Sequence, residues 1–337
     1  MQLISWQRYV DGVEHAAAAK AAAIKFCAAP SVGFDLLDSG GKPDDLAALL
    51  RHADAAIQSP DRYFEPDLPV EFTQDRDSLT FKSPIASGVA NDIVRARLYE
   101  ARHRERAVVM LHHWNAELES YRAFARVLAV SGISCLQLSL PYHHERQTPN
   151  VGFARELVCE NLGLTIRSNR QAILEARTCL TWLEQQGFRR LGIIGVSVGS
   201  SIGSIVAALD SRVSAAVLIL MADDFAEVVW TGSATAHVKS SLERRFTFED
   251  VRTAWAVISP ATYAKRLSRR LNSALIISGR HDAVFIPQST RRYVERLSTH
   301  GLNPAWIRFG CGHYTLRLFP YSVLTVMNTI TFLRRQL

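Results

Sequence analysis

An apolar run beginning at Leu191 ends in the pentapeptide Gly195-Val196-Ser197-Val198-Gly199. A serine with glycine two residues away on either side can occupy a sharp strand-to-helix reversal, where bulk at the flanking positions would block the turn. Its hydroxyl then projects above the sheet edge, at the positive end of the next helix, where an anionic intermediate is favoured. That chemistry is nucleophilic. An overlapping match, Gly199-Ser200-Ser201-Ile202-Gly203, would put Ser201 a full turn inside the helix, where its hydroxyl bonds back to a carbonyl. Ser197 is therefore the candidate nucleophile, weighed against a plain Gly-rich turn that lets strand and helix pack closely. No Gly-Lys-Ser/Thr follows, so a Walker-type phosphate loop is excluded, and the glycine spacing does not fit a dinucleotide fingerprint.

A serine hydroxyl needs a base, most often histidine. Phe309-Gly310-Cys311-Gly312-His313-Tyr314 lies between the last strand-like run and the last helix-like run. A histidine on a short Gly-rich loop there can lean toward Ser197. A third group must fix the imidazole tautomer and stabilise its charged form. Asp282 comes just after the apolar run 274–278, in a stretch ending at Pro287. Asp223 and Asp224 compete for the role at the same sheet edge; their plainer role is to cap the next helix. The order Ser197, Asp282, His313 favours Asp282.

Hydrophobic periodicity supplies the elements that must hold these groups. Strands are expected over 77–87 and 93–99, joined by a turn at 88–91, then over 107–111, 133–140, 191–196, 213–221, 274–278 and 305–309. Helices are expected over 119–130, 167–186, 200–209, 291–300 and 321–336. Strands apolar on both faces and alternating with helices give a parallel sheet covered on both sides. Residues 1–70 are Ala-rich, then broken by prolines, and form a helical N-terminal extension with a Pro-rich lead-in; residues 71–337 form the main domain. The stretch of about 223–271 is too long for a simple crossover and is expected to be a helical cap insert.

The chain has 337 residues, 48% hydrophobic and 21% charged, which excludes a disordered polypeptide. Its charge of +7 is spread over scattered Arg doublets, so no nucleic-acid groove is indicated. The five cysteines, Cys27, Cys135, Cys159, Cys179 and Cys311, form no CxxC pair, and Cys135 reads as a small core residue. The N-terminus lacks a signal-peptide pattern, and no run of 18 uncharged apolar residues occurs, so a soluble, cytoplasmic protein without a transmembrane segment is expected.

The elbow at Ser197, the G-x-x-D-x-x-x-x-P stretch ending at Pro287 and the G-x-G-H loop at His313 together resemble the α/β-hydrolase superfamily, over about three quarters of the chain from Asp77 onward. The order of elements is similar to that of esterases, dienelactone-hydrolase-like proteins and the catalytic domain of prolyl-oligopeptidase-like enzymes. The resemblance implies an α/β fold with a mostly parallel eight-stranded sheet and a Ser197-His313-Asp282 triad. It also implies an oxyanion hole from the backbone N–H groups of Trp114 and Val198. The family's usual glycine in the first of these loops is replaced by His113, which tolerates positive φ less well.

His112, His113 and Asn115 would face His143 and His144 from the neighbouring strand's loop. A polar pocket wall is preferred to a metal site, because no acidic or Cys partner stands at a fixed short spacing. Trp230 and Tyr314 complete the pocket candidates, although Trp230, like Trp255, could equally be the cap's own core. Arg244, Arg245 and Arg252 would suit an anion but more often stay solvated. No cofactor and no metal are expected. The leading function is hydrolysis of a small-molecule carboxylic ester through an acyl-enzyme. A thioesterase, peptidase or acyltransferase of the same fold is the alternative, and a non-catalytic binding protein is the alternative of another class. A homodimer is left open.

Overall fold

The structure is a computed structural model and describes residues 2–22, 28–66, 70–88, 90–117, 119–149 and 153–337. Cys27 lies outside them; the other four cysteines are buried free thiols. The chain opens with helices α1 (Gln2–Ala22), α2 (Leu46–Gln58) and α3 (Pro60–Tyr63). Asp45 caps α2 by accepting the Ala48 N–H at 2.8 Å, and Pro60 at the first turn starts α3, where its missing N–H costs nothing. Strands β1 (Phe72–Asp75), β2 (Ser78–Lys82), β3 (Ile93–Tyr99) and β4 (Arg106–Leu111) follow, then α4 (Arg122–Val130), β5 (Ser134–Leu138) and α5 (Leu162–Gln185). Next come β6 (Arg190–Val196), α6 (Val198–Leu209) and β7 (Val213–Ile219). Four helices succeed them: α7 (Phe225–Thr231), α8 (Ala236–Leu242), α9 (Phe248–Trp255) and α10 (Pro260–Arg270). The chain ends with β8 (Ala274–Gly279), α11 (Pro287–Thr299), β9 (Ala305–Phe309) and α12 (Tyr321–Gln336).

The strands form one nine-stranded sheet in the order β1-β2-β3-β5-β4-β6-β7-β8-β9, antiparallel through β3 and β5 and parallel from there on. The sheet thus has one strand more than the eight expected. The extra strand, β1, is a four-residue edge whose side chains are largely exposed, so it carries no apolar alternation to announce it. It turns into β2 through Arg76, which has φ 53°.

The central strands are buried on both faces, and helices cover each face. One layer joins α5, α6, α10 and the cap helices. The other joins α4, α12 and the loop around Leu316. Helix α5 starts five residues earlier than expected, because Asn161 caps it by accepting the Leu164 N–H at 2.8 Å. Within the long insert, α10 packs on α6 and α11 as the ordinary crossover to β8, which leaves α7–α9 packed on one another and on α1, α2 and α5. The N-terminal extension is part of the same body: Leu49, Ala53 and Phe64 join the core cluster, each large side chain contributing roughly 1.5–3 kcal/mol by leaving water. Among the described residues no helix is long and apolar enough to cross a membrane.

Candidate active site

Strand β6 delivers Ser197 at the sheet edge and α6 leaves it at once. The serine has φ 56° and ψ −122°, a strained conformation that costs on the order of 1–3 kcal/mol. Its neighbours explain why the turn closes. A Cβ on Gly195 would lie 2.2 Å from the Gly199 carbonyl oxygen, and one on Gly199 would lie 2.4 Å from the Leu111 carbonyl oxygen. Neither site has room for a single carbon. The Ser197 N–H donates to the Ile219 carbonyl at 2.9 Å, and Ser200 Oγ donates to the Ser197 carbonyl at 2.6 Å, which fixes the elbow from both sides.

Ser197 Oγ lies 3.0 Å from His313 Nε2, and His313 Nδ1 lies 2.9 Å from Asp282 Oδ2. The other Asp282 oxygen accepts the Val284 and Phe285 N–H groups at 2.8 and 2.7 Å, so the carboxylate is oriented by backbone on one side and by imidazole on the other. With Nδ1–H donating to a carboxylate, Nε2 is left to accept the serine proton. The loops carrying Asp282 and His313 are tied together: Arg280 N–H donates to the Phe309 carbonyl and His281 N–H to the Cys311 carbonyl. Asp223 and Asp224 are engaged elsewhere. Asp223 accepts from Ser289 Oγ at 2.6 Å and pairs with Arg292, while Asp224 caps α7 through the Glu227 N–H and pairs with Arg252. Ser201 stands one turn into α6 and lines the same cavity as Ser197, away from His313's hydrogen bonds.

Ser197 and His313 open into a cavity of about 420 Å³, within the range of small-molecule sites. Its walls are mainly apolar. Phe225, Val228 and Val229 come from α7, Val284 and Phe285 from the Asp282 loop, and Leu316 from the loop after His313. His113, Trp114, Asn115, Val198 and Tyr314 also line it. Val198 is the first residue of α6, whose N–H has no acceptor inside the helix. Residues without a sequence signal join them: Tyr121 and Phe124 near α4, Arg317, and Ser322 and Thr325 on α12. These sit on helix faces where a polar or aromatic side chain reads as ordinary surface or core.

Four pocket candidates stand elsewhere. Trp230 packs on Phe248 with ring centroids 5.5 Å apart, within the cap. His144 borders a separate shallow groove beside β3. His112 and His143 are fully buried behind the cavity wall, where they serve the backbone. His112 Nε2 accepts the Leu140 N–H at 3.0 Å and its Nδ1–H donates to the His113 carbonyl. His143 Nδ1–H donates to the Pro141 carbonyl, and His144 is held between Ser139 Oγ and the Ala116 carbonyl. With His143 Nε2 accepting the Asn115 N–H, both ring nitrogens of all three are occupied. Burial is the main cause that pushes His143 down to about 3 and His113 to about 4, and it lowers His112 and His144 as well. Asn115, not His113, takes the positive φ in this loop, at 57°.

The family model Alpha/beta hydrolase domain containing 18 matches residues 93–255, a span that runs from β3 through the elbow into the cap. Over that span the chain is similar to α/β-hydrolase domains. Solved structures share the hydrolase fold at low identity. Acetyl xylan esterase 1 from Thermoanaerobacterium sp. has a TM-score of 0.58 at 16% identity, over 86% of this chain and 94% of its own. The Pyrobaculum calidifontis esterase has a TM-score of 0.53 at 18% identity, over 88% of this chain and 94% of its own. Pyrococcus horikoshii acylaminoacyl peptidase has a TM-score of 0.58 at 16% identity, over 80% of this chain but only 42% of the peptidase, so this chain spans under half of that enzyme's length. No curated protein matches in sequence.

Proposed function

We propose that this hydrolase cleaves a carboxylic ester with an apolar acyl chain through an acyl-enzyme. The carrying observation is the unbroken hydrogen-bond chain from Ser197 through His313 to Asp282, opening into a mainly apolar cavity. In this mechanism Ser197 Oγ attacks the ester carbonyl as His313 Nε2 takes its proton. Asp282 holds the Nδ1–H and stabilises the imidazolium. The N–H groups of Trp114 and Val198 receive the oxyanion, and His313 returns the proton to the departing alcohol. A water, deprotonated by His313, then releases the acid.

The apolar walls contributed by Val228, Val229 and Phe285 favour an aliphatic or aryl acyl group over a charged one. The test is a p-nitrophenyl ester series from acetate to dodecanoate beside a peptide anilide. Rising kcat/KM from acetate to medium chain length, with the anilide far slower, supports the reading. Anilide cleavage without ester cleavage would replace it with peptidase chemistry.

A further inference from the structure

The N-terminal helix reaches the loop that carries His313 directly through Glu14 and indirectly through Tyr321 of α12. Trp6, Val10 and Glu14 follow one another at four-residue spacing and so share one face of α1. Val10 is fully buried, and Trp6 Nε1 donates at 3.2 Å to Tyr321 Oη, which in turn donates to the Gly310 carbonyl at 2.9 Å. Glu14 reaches further. Its Oε1 accepts the Tyr314 N–H at 2.8 Å, the Thr315 N–H at 2.7 Å and Thr315 Oγ1 at 2.8 Å, all directly after His313. The fit against Gly312 is close: a Cβ there would lie 2.3 Å from Glu14 Cδ. Glu14 is 9% exposed, and its Oε2 is buried with no partner among the described residues.

Burying a carboxylate is expensive unless hydrogen bonds hold it. Here every bond it makes goes to the segment that presents the imidazole. We infer that Glu14 is a positioning residue for His313: it fixes the 312–315 turn so that Nε2 stays within reach of Ser197, and α1 is thereby a working part of the site. The inference rests on the ester-hydrolase reading for its kinetic consequence but not for its structural one.

Oε1 alone accepts the three bonds, so a glutamine carbonyl can replace it, whereas alanine cannot. The experiment compares wild type, Glu14→Gln and Glu14→Ala in the full chain, with active sites counted by fluorophosphonate titration. For Glu14→Ala, kcat per titrated site falls by about 10²-fold with little change in KM, the penalty of a displaced catalytic group. Glu14→Gln restores it to within a few-fold. A loss of folded protein alone would lower the titratable fraction and leave kcat per site unchanged, which would overturn the inference, as would a glutamine variant as poor as alanine. Amide hydrogen exchange gives an arm independent of activity. The Tyr314 and Thr315 N–H groups are protected in wild type and Glu14→Gln and exchange faster in Glu14→Ala. Unaltered exchange there sinks the inference, whereas a wild type that never reacts with the probe sinks the ester-hydrolase reading alone.

Discussion

His143 Nε2 accepts the backbone N–H of Asn115 at 2.9 Å, so a ring from the loop after β5 holds the loop after β4 against the cavity. The bond requires an unprotonated Nε2. Protonation would turn the acceptor into a donor facing a donor, inside a buried site.

This sets an acid limit on stability. The folded values of His143 and His113, about 3 and about 4, lie below the ordinary 6.5, so the fold holds both rings neutral while the unfolded chain binds protons first. The stabilisation is complete above pH 6.5 and drains away as pH falls toward those folded values, each ring costing up to about 1.4 kcal/mol per pH unit. Thermal unfolding followed from pH 7.5 to 4.5 should show Tm falling below about pH 6.5. His143→Gln, which cannot be protonated, should be less stable at neutral pH but show a shallower fall; parallel curves would show that His143 is not responsible.

The elbow tolerates no added carbon. Gly199→Ala puts a methyl group where the Leu111 carbonyl already stands, so the turn must open at a cost of about 1–3 kcal/mol or more. Fluorophosphonate labelling of that variant should slow far more than its global stability falls. Labelling at the wild-type rate would mean that the glycine serves packing alone.

A second buried device backs the His143 loop. Arg146 and Glu175 are both fully buried and pair through two contacts of 2.6 and 2.7 Å, with Arg146 also donating to the Ser139 and Asn91 carbonyls. Removing one partner strands the other charge. Glu175→Ala should therefore destabilise the protein by about 3–5 kcal/mol in urea unfolding, whereas breaking an exposed pair such as Arg122–Glu119 should leave the midpoint nearly unchanged.

In the proposed ester hydrolysis the cavity wall would set acyl length. Val228→Phe fills space on the α7 side, and each methylene that no longer fits is worth about 1–3 kcal/mol of discrimination. The variant should lose octanoate turnover at least about tenfold relative to acetate. An unchanged chain-length profile would place the acyl chain on the opposite side, against Tyr121 and Phe124.

Much of this arrangement is legible in the sequence because it rests on local rules. Ser197, Asp282 and His313 each follow an apolar strand and are flanked by glycine or proline, so periodicity and turn chemistry locate them. What escapes is non-local. The short polar β1 has no alternation to detect. Nothing near Glu14 announces that its carboxylate meets residues 300 positions away. The paired histidines look like pocket or metal chemistry, and only tertiary packing shows that His112, His143 and His144 spend both ring nitrogens on the backbone or Ser139. Trp230, at home in the cap beside Phe248, follows the plainer of its two readings.

The proposed mechanism requires Ser197 as the nucleophile and His313 as its base. Intact-mass measurement after fluorophosphonate treatment tests it most directly, with wild type, Ser197→Ala and His313→Ala side by side and ester turnover read in parallel. One adduct on wild type, none on Ser197→Ala, and turnover in both variants lower by on the order of 10⁴-fold or more are expected. A stoichiometric adduct on Ser197→Ala, or ester turnover that survives the change, would contradict the account.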